Sequence, residues 1–312
     1  MITSGFESKN KKEQFKEDII RYFLIFAAGV SILTTFGILF SILFEAIEFF
    51  NLRSFTYFIT GTEWSPGTPN SKFGAVSIFI GTFIITAIAI LVAVPIGVFS
   101  AIYMSEYASD KVRTTVKPML EILAGIPTVV YGFFAAITVA PAIVHICAFF
   151  GLEASFNSAI AAGAVMGIML IPVISSLSDD VIAAVPQSMR NGSLAMGITK
   201  AETIKDIVIP SAMPGIISAT LLAISKALGE TMIVVMAAGM NANKFTLNIL
   251  EDMTTVTVQI VTALTGDFEF NSPNTLSAFA LGLVLFFVTL VLNIVSVIMI
   301  KRFKEKYKMS NL

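Results

Sequence analysis

Charge is scarce in this 312-residue chain. Asp, Glu, Lys and Arg make up 13% of it, against 56% hydrophobic residues. Soluble domains carry about a quarter charged residues, so an ordinary water-facing globular surface is excluded. A mean hydropathy of +0.86 reads as an integral membrane protein. One cysteine, Cys147, rules out an internal disulfide, and one histidine, His145, cannot form a metal site alone. Both are read as packing residues of a membrane span. No Ser/His/Asp or paired-His arrangement offers hydrolytic chemistry. Gly192 and Gly197 have the interval of the first two glycines of a phosphate-binding loop, but Ile198 and Thr199 follow where Lys and Ser/Thr are required. No nucleotide site is therefore expected in this chain, and it is read as a non-enzyme. Internal repeats and low-complexity tracts are also missing.

What is present is long apolar runs. Residues 22–44, 73–105, 122–152, 154–178 and 270–300 contain no charge, and each reaches the roughly 18 to 20 residues that cross a bilayer as helix. A sixth run, 207–243, is interrupted only by Lys226 and Glu230 within "SKALGETMIVVMAAG". Lys and Arg accumulate on the cytoplasmic side of a membrane. The N-terminal arm carries Lys9, Lys11, Lys12, Lys16 and Arg21, and the tail carries Lys301, Arg302, Lys304, Lys306 and Lys308. Two cytoplasmic ends demand an even number of crossings, so the charged run must cross as well. Of the 20 basic residues, only Arg53, Lys72 and Lys244 then fall outside. The first run is longer than a signal-peptide core and lacks a small-residue cleavage pattern, so it is read as a retained span.

The expected architecture is an all-α integral membrane protein of six transmembrane helices with both termini cytoplasmic. A cytoplasmic arm, 1–20, precedes a six-span domain, 21–301, and a basic tail, 302–312. Residues 51–72 form an outer loop rich in turn formers, with Trp64 and Tyr57 suited to the membrane-water interface. "SEYASDKVRTTVKP" reads as a short inner loop between spans two and three, and 241–275 as an outer segment. In span three, Gly125, Pro127 and Gly132 predict a kinked or broken helix. The Met-rich stretch from Met232 reads as adaptable packing. The acidic residues Glu251, Asp252, Asp267 and Glu269 read as a solvated outer loop.

The inner segment 186–210, "PQSMRNGSLAMGITKAETIKDIVIP", is unusually well punctuated. Pro186 suits a first helical turn and Gly197 a C-terminal cap. Thr199 and Glu202 have capping-box spacing, starting a second helix that Pro210 is expected to end. This spacing resembles the EAA loop of bacterial ABC-importer permeases: a three-residue box, three residues, Gly, nine residues, Ile, one residue, an aliphatic and Pro. Here these are Asn191, Gly192 and Ser193, then Gly197, Ile207, Ile209 and Pro210. The resemblance implies a helix-turn-helix that docks on a separate ATPase. The box departs from the pattern, since Asn-Gly-Ser replaces Glu-Ala-Ala.

Beyond the loop, "EWSP", "FGAVSIFIGTFIITAIAILVAVPIGVFSAIYMSEYA", "KPMLEILAGIPTVVYGF" and "KALGETMIVVMAAG" are similar to the PstC-type permease subunits of bacterial phosphate ABC importers, from about residue 60 to 240. The resemblance implies inward phosphate transport by alternating access in the cytoplasmic (inner) membrane. It also implies a PstA-type second permease, a PstB-type ATPase dimer that binds ATP and Mg, and an outer PstS-type phosphate-binding protein, with no nucleic-acid partner. Competing readings are a permease for sulfate or molybdate and an ATPase-independent channel or carrier.

Lys226 and Glu230 are the candidate substrate-pathway residues. A charge near the middle of the membrane costs at least about 2.5 kcal/mol, so both are expected to face protein or water. The spacing of four puts them on one helical face, about 18 and 24 Å along span five from Pro214 and so near the bilayer midplane. A lysine donates to an oxyanion, and a carboxylate accepts from protonated phosphate, a proton that sulfate does not carry. In the phosphate permeases the motif reads Arg-Ala-x-Gly-Glu, so Lys226 supplies charge without the arginine fork. The alternative is a structural ion pair that never meets substrate.

Overall fold

The computed structural model describes residues 3–67, 70–242, 245–266 and 269–308. Lys244, Asp267 and the outermost residues of the arm and tail lie outside that set. In chain order the helices are α1 (Thr3–Leu52), α2 (Phe55–Thr60), α3 (Val76–Ile102), α4 (Asp110–Ala124), α5 (Thr128–Phe134), α6 (Ala140–Phe149) and α7 (Ala159–Ala183). Then follow α8 (Gln187–Ala195), α9 (Lys200–Thr203), α10 (Ile209–Leu228), α11 (Met232–Ala237), α12 (Val256–Gly266) and α13 (Pro273–Lys308). A two-stranded antiparallel ribbon, β1 (Trp64–Ser65) and β2 (Lys72–Phe73), sits between α2 and α3.

Among the described residues six helical segments are long and apolar enough to cross a membrane: Phe15–Leu52, Val76–Tyr107, Thr128–Phe149, Ala159–Ala183, Lys200–Leu228 and Pro273–Phe303. The all-α, six-span architecture read from the charge pattern is the one observed, with the charged fifth run among the spans.

At the centre α3 packs along α7. In lipid no hydrophobic force pulls helices together, so close backbone approach through small residues does the work. Gly163 and Gly167 put two such positions on one face of α7, one turn apart. A Cβ at Gly163 would come within 2.7 Å of the Ile88 Cβ, and one at Gly167 within 2.7 Å of the Val92 Cβ. From α3, Gly97 returns the contact against Ile174, where a Cβ would come within 2.9 Å. Span five docks on the same helix, Gly215 lying directly against Val181. α1 and α13 pack on each other beside this core.

Four local expectations differ from the structure. The stretch expected as a short inner loop folds into α4, whose inward face is Arg113, Val116, Lys117, Leu120 and Ala124. That face has helical spacing, but two of its five members are cations, which hides it from an apolar count. Pro210 does not end a helix: the chain runs on into α10. Proline lacks a donor and crowds the carbonyl four residues back, and a π-helical turn at Ile204–Val208 precedes it, Ile209 N–H reaching back to Ile204. Residues 241–275 contain the helix α12, buried along one side through Val256, Val258, Gln259 and Ala263, as well as outer loop. Trp64 does not face outward but is 1% exposed, packed edge-on to Phe58 and Phe73, whereas Tyr57 remains exposed.

The break expected in span three is present. α4 stops at Ala124, Pro127 is extended at φ −57° and ψ 137°, and α5 begins at Thr128. Tyr131 bridges it, donating its hydroxyl to the Leu123 carbonyl at 3.0 Å. Of the two span-three residues read as packing, Cys147 is buried and His145 is exposed on the single chain.

Candidate functional site

The inner loop forms as its caps dictate. α8 closes with Gly197 at φ +80°, where a side chain would be strained. Gly197 N–H bonds the Leu194 carbonyl and Ile198 N–H the Ser193 carbonyl, the two bonds of a Schellman turn. Thr199 and Glu202 complete the capping box that starts α9. Where α8 and α9 meet, Ser193 Oγ and Thr203 Oγ1 are 2.8 Å apart, both buried. Of the box residues, Asn191 and Gly192 are exposed and Ser193 is inside. Ile207 and Pro210 are half-buried, on and just beyond the π turn. The turn between the helices presents Leu194, Met196 and Ile198 outward, with Met196 81% exposed.

Two sets of ion pairs fasten this inner end. Asp179, fully buried on α7, accepts both carboxylate bonds from Arg113 at 3.0 and 3.1 Å, and Lys117 reaches Asp179 and Asp180. Arg190 on α8 binds Glu106 at the end of span two. Sequence reasoning missed both. The partners are more than 60 residues apart, and no local spacing announces them.

In span five the structure changes the geometry of the charged pair. α10 ends at Leu228, so Lys226 and Glu230 do not share one continuous helix face. Gly229 forms the C-cap, and its poor helix propensity permits the stop. The Glu230 carboxylate then accepts from Met232 N–H at 3.0 Å and Ile233 N–H at 3.4 Å, seeding α11. Its carbonyl, freed by the break, accepts from Thr257 Oγ1 at 2.7 Å. Lys226 in the last turn of α10 and Glu230 at the start of α11 each sit where the helix dipole favours that sign. Among the described residues no ion pair joins them. Glu230 is 7% exposed, whereas Lys226 is exposed on the single chain.

Depth follows from neighbouring contacts. Val256 N–H donates to Thr82 Oγ1, and Thr82 lies six residues, about 9 Å, inside the outer end of α3. Thr257, the next residue, holds Glu230. Glu230 therefore lies in the outer half of the bundle, with Lys226 about one turn nearer its middle. α11 is gripped by α5: a Cβ at Gly132 would come within 2.8 Å of Met236 Sδ and 3.1 Å of the Met232 carbonyl. The helices that follow the two breaks, α5 and α11, thus pack on each other. On the outer side, Gln259 accepts from Trp64 Nε1 at 3.1 Å and donates to the Met240 carbonyl at 2.8 Å. Among the described residues no group of three or more His, Cys, Asp or Glu is placed to hold a metal ion.

Residues 93–308 match the family described as the binding-protein-dependent transport system inner membrane component. The chain belongs to this family. It is 31% identical over 251 residues to the probable ABC transporter permease protein YqgH of Bacillus subtilis, covering 80% of this chain and 78% of that one. It is 31% identical over 264 residues to the phosphate transport system permease protein PstC of Mesorhizobium japonicum, covering 78% of each. With PstC of Haemophilus influenzae the identity is 30% over 266 residues, 80% of this chain and 82% of that. Its fold is similar to a chain of the crystal structure of a bacterial alginate ABC transporter in complex with alginate pentasaccharide-bound periplasmic protein. There the TM-score is 0.63 at 15% identity, over 92% of this chain and 96% of that one. This chain is thus a multi-span permease subunit, and the loop and the broken fifth span belong to a transport machine.

Proposed function

We propose that this permease passes inorganic phosphate into the cell by alternating access, as the PstC-type half of a heterodimeric pore in the cytoplasmic membrane. The observation that carries the reading is Lys226. It is a cation exposed on the single chain, in the last turn of α10 within span five, and among the described residues no hydrogen bond or ion pair is found for it. A charge in such a place is too costly to face lipid, so its exposed side belongs to a second permease or to the ion's path between the two. An ammonium there attracts an oxyanion, and the relatives named for phosphate transport supply the choice among oxyanions.

On this reading the partners are a PstA-type permease, a PstB-type ATPase dimer holding ATP and Mg, and a PstS-type binding protein outside. The turn of Leu194, Met196 and Ile198 is the ATPase-docking tip. Asn191, Gly192, Ser193 and Gly197 shape it, and Ile207 and Pro210 join it to span five. Hydrolysis belongs to the partner. The arm, 1–20, and tail, 302–312, are the basic cytoplasmic ends of the six-span domain.

Anion competition tests the substrate. In proteoliposomes holding the complete complex, excess unlabelled phosphate is expected to suppress ATP-driven uptake of labelled phosphate, while sulfate and molybdate leave it unchanged. ATP-driven uptake of labelled sulfate or molybdate by the same complex, with no uptake of labelled phosphate, assigns the permease to that anion instead.

A further inference from the structure

Arg190 immediately precedes the box Asn191-Gly192-Ser193, yet its side chain points away from the docking tip. It is 11% exposed, and its partner Glu106 is 8% exposed. Four of the five guanidinium N–H groups have partners. Nε and Nη2 donate to Glu106 Oε1 at 3.1 and 2.7 Å, Nη2 also donates to the Ile182 carbonyl at 2.8 Å, and Nη1 donates to the Val185 carbonyl. Those carbonyls belong to the last turn of α7 and the residues after it, where helical partners run out and a cation is favoured. Glu106 sits in the π-helical turn Tyr103–Tyr107 that finishes span two. Lys200, first residue of α9, donates to the Glu106 carbonyl and stands 4.7 Å from the Tyr107 ring centre. A cavity of about 490 Å³, lined by Ser105, Gln187, Leu194 and Ile204 among others, lies alongside. On that side α8 meets span two through these polar contacts.

We propose that Arg190 and Glu106 are a positioning pair for energy coupling. Arg190 ties the ATPase-facing helix α8 at once to the end of span two and the end of span four, so that a displacement of the loop moves both spans together. A planar fork can hold a carboxylate and two carbonyls in fixed directions, which a lysine cannot do. The proposal rests on the ATP-driven reading above.

The experiment uses the complete complex in proteoliposomes and reads two quantities, thermal stability and phosphate imported per ATP hydrolysed. Arg190→Met or Glu106→Gln alone leaves a buried charge unpaired and is expected to lower thermal stability. The double variant removes both charges and is expected to recover it. Imported phosphate per ATP is nonetheless expected to remain about fivefold below wild type in the double variant. Arg190→Lys, which keeps the charge, is expected to show a reduced ratio at near-normal stability. Recovery of the wild-type ratio in the double variant, or an unchanged ratio in Arg190→Lys, overturns the proposal. A wild-type complex that imports phosphate without ATP overturns the ATP-driven reading first, and this proposal with it.

Discussion

The Thr257 hydroxyl donates to the backbone carbonyl of Glu230 across 2.7 Å, tying α12 to the break in span five. An oxygen released from helix bonding inside a membrane must find a donor, and Thr257 supplies it. Thr257→Val keeps the shape and removes the donor, so it is expected to cost about 1 to 3 kcal/mol and to slow phosphate uptake. Thr257→Ser is expected to behave as wild type. Thermal unfolding in detergent together with uptake measures both effects.

Glu230 has a backbone role that can be separated from its charge. Glu230→Gln keeps an oxygen for the Met232 and Ile233 N–H groups, whereas Glu230→Ala removes it. The alanine variant is expected to lose about 1 kcal/mol of stability, as other lost helix caps do. The glutamine variant is expected to unfold near the wild-type temperature yet import phosphate more slowly. Equal stability loss in both variants contradicts the capping role.

Asp179 holds α4 against α7 at the inner face. Asp179→Asn leaves Arg113 and Lys117 short of a buried partner and is expected to cost about 1 to 3 kcal/mol. The bond to Asp180, opposed by burial but helped by the Asp180 and Asp179 charges, holds the Lys117 ammonium above the usual lysine value of 10.5. A group whose value is raised on folding contributes fully below its unfolded value and loses that contribution as pH climbs through the folded one. Stability from this pair is therefore expected to be flat from about pH 6 to 9 and to fall only in strong alkali. A loss near neutrality in pH-dependent melting contradicts it.

The α3–α7 seam tolerates no added bulk. Gly167→Leu forces a side chain against Val92 and the Ala89 carbonyl, which lie 2.7 and 2.9 Å from a Cβ there. Overpacking costs about 1 to 3 kcal/mol, so folded yield and melting temperature are expected to drop. Gly192→Ala, with nothing within 4 Å of its added carbon, lies inside α8 and is expected to keep the folded yield and to hold or slightly raise the melting temperature.

Much of this fold was legible because membrane solvent imposes simple rules. Unbroken apolar length located the spans, and the basic ends forced the charged fifth run to be counted among them. Local caps were equally readable: Gly197 at positive φ and the Thr199–Glu202 box appear where the residues placed them. Long-range pairing was not readable. Arg113 and Lys117 looked like loop charges because their acceptor Asp179 comes 66 and 62 residues later. The spacing of Lys226 and Glu230 misled for a physical reason. A period of four means a shared face only while the helix continues, and here the Glu230 carboxylate itself starts the next helix. Trp64 was misplaced because its N–H partner, Gln259, lies 195 residues away.

ATP-driven uptake of labelled phosphate by proteoliposomes holding the full complex, wild type against Lys226→Met, tests the central claim most directly. Losing one charge-assisted bond to the anion is worth about a tenfold to hundredfold fall in uptake. The account predicts a fall of that size with assembly and melting temperature unchanged, since Lys226 forms no bond within the described chain. Uptake at the wild-type rate in a normally assembled Lys226→Met complex contradicts it.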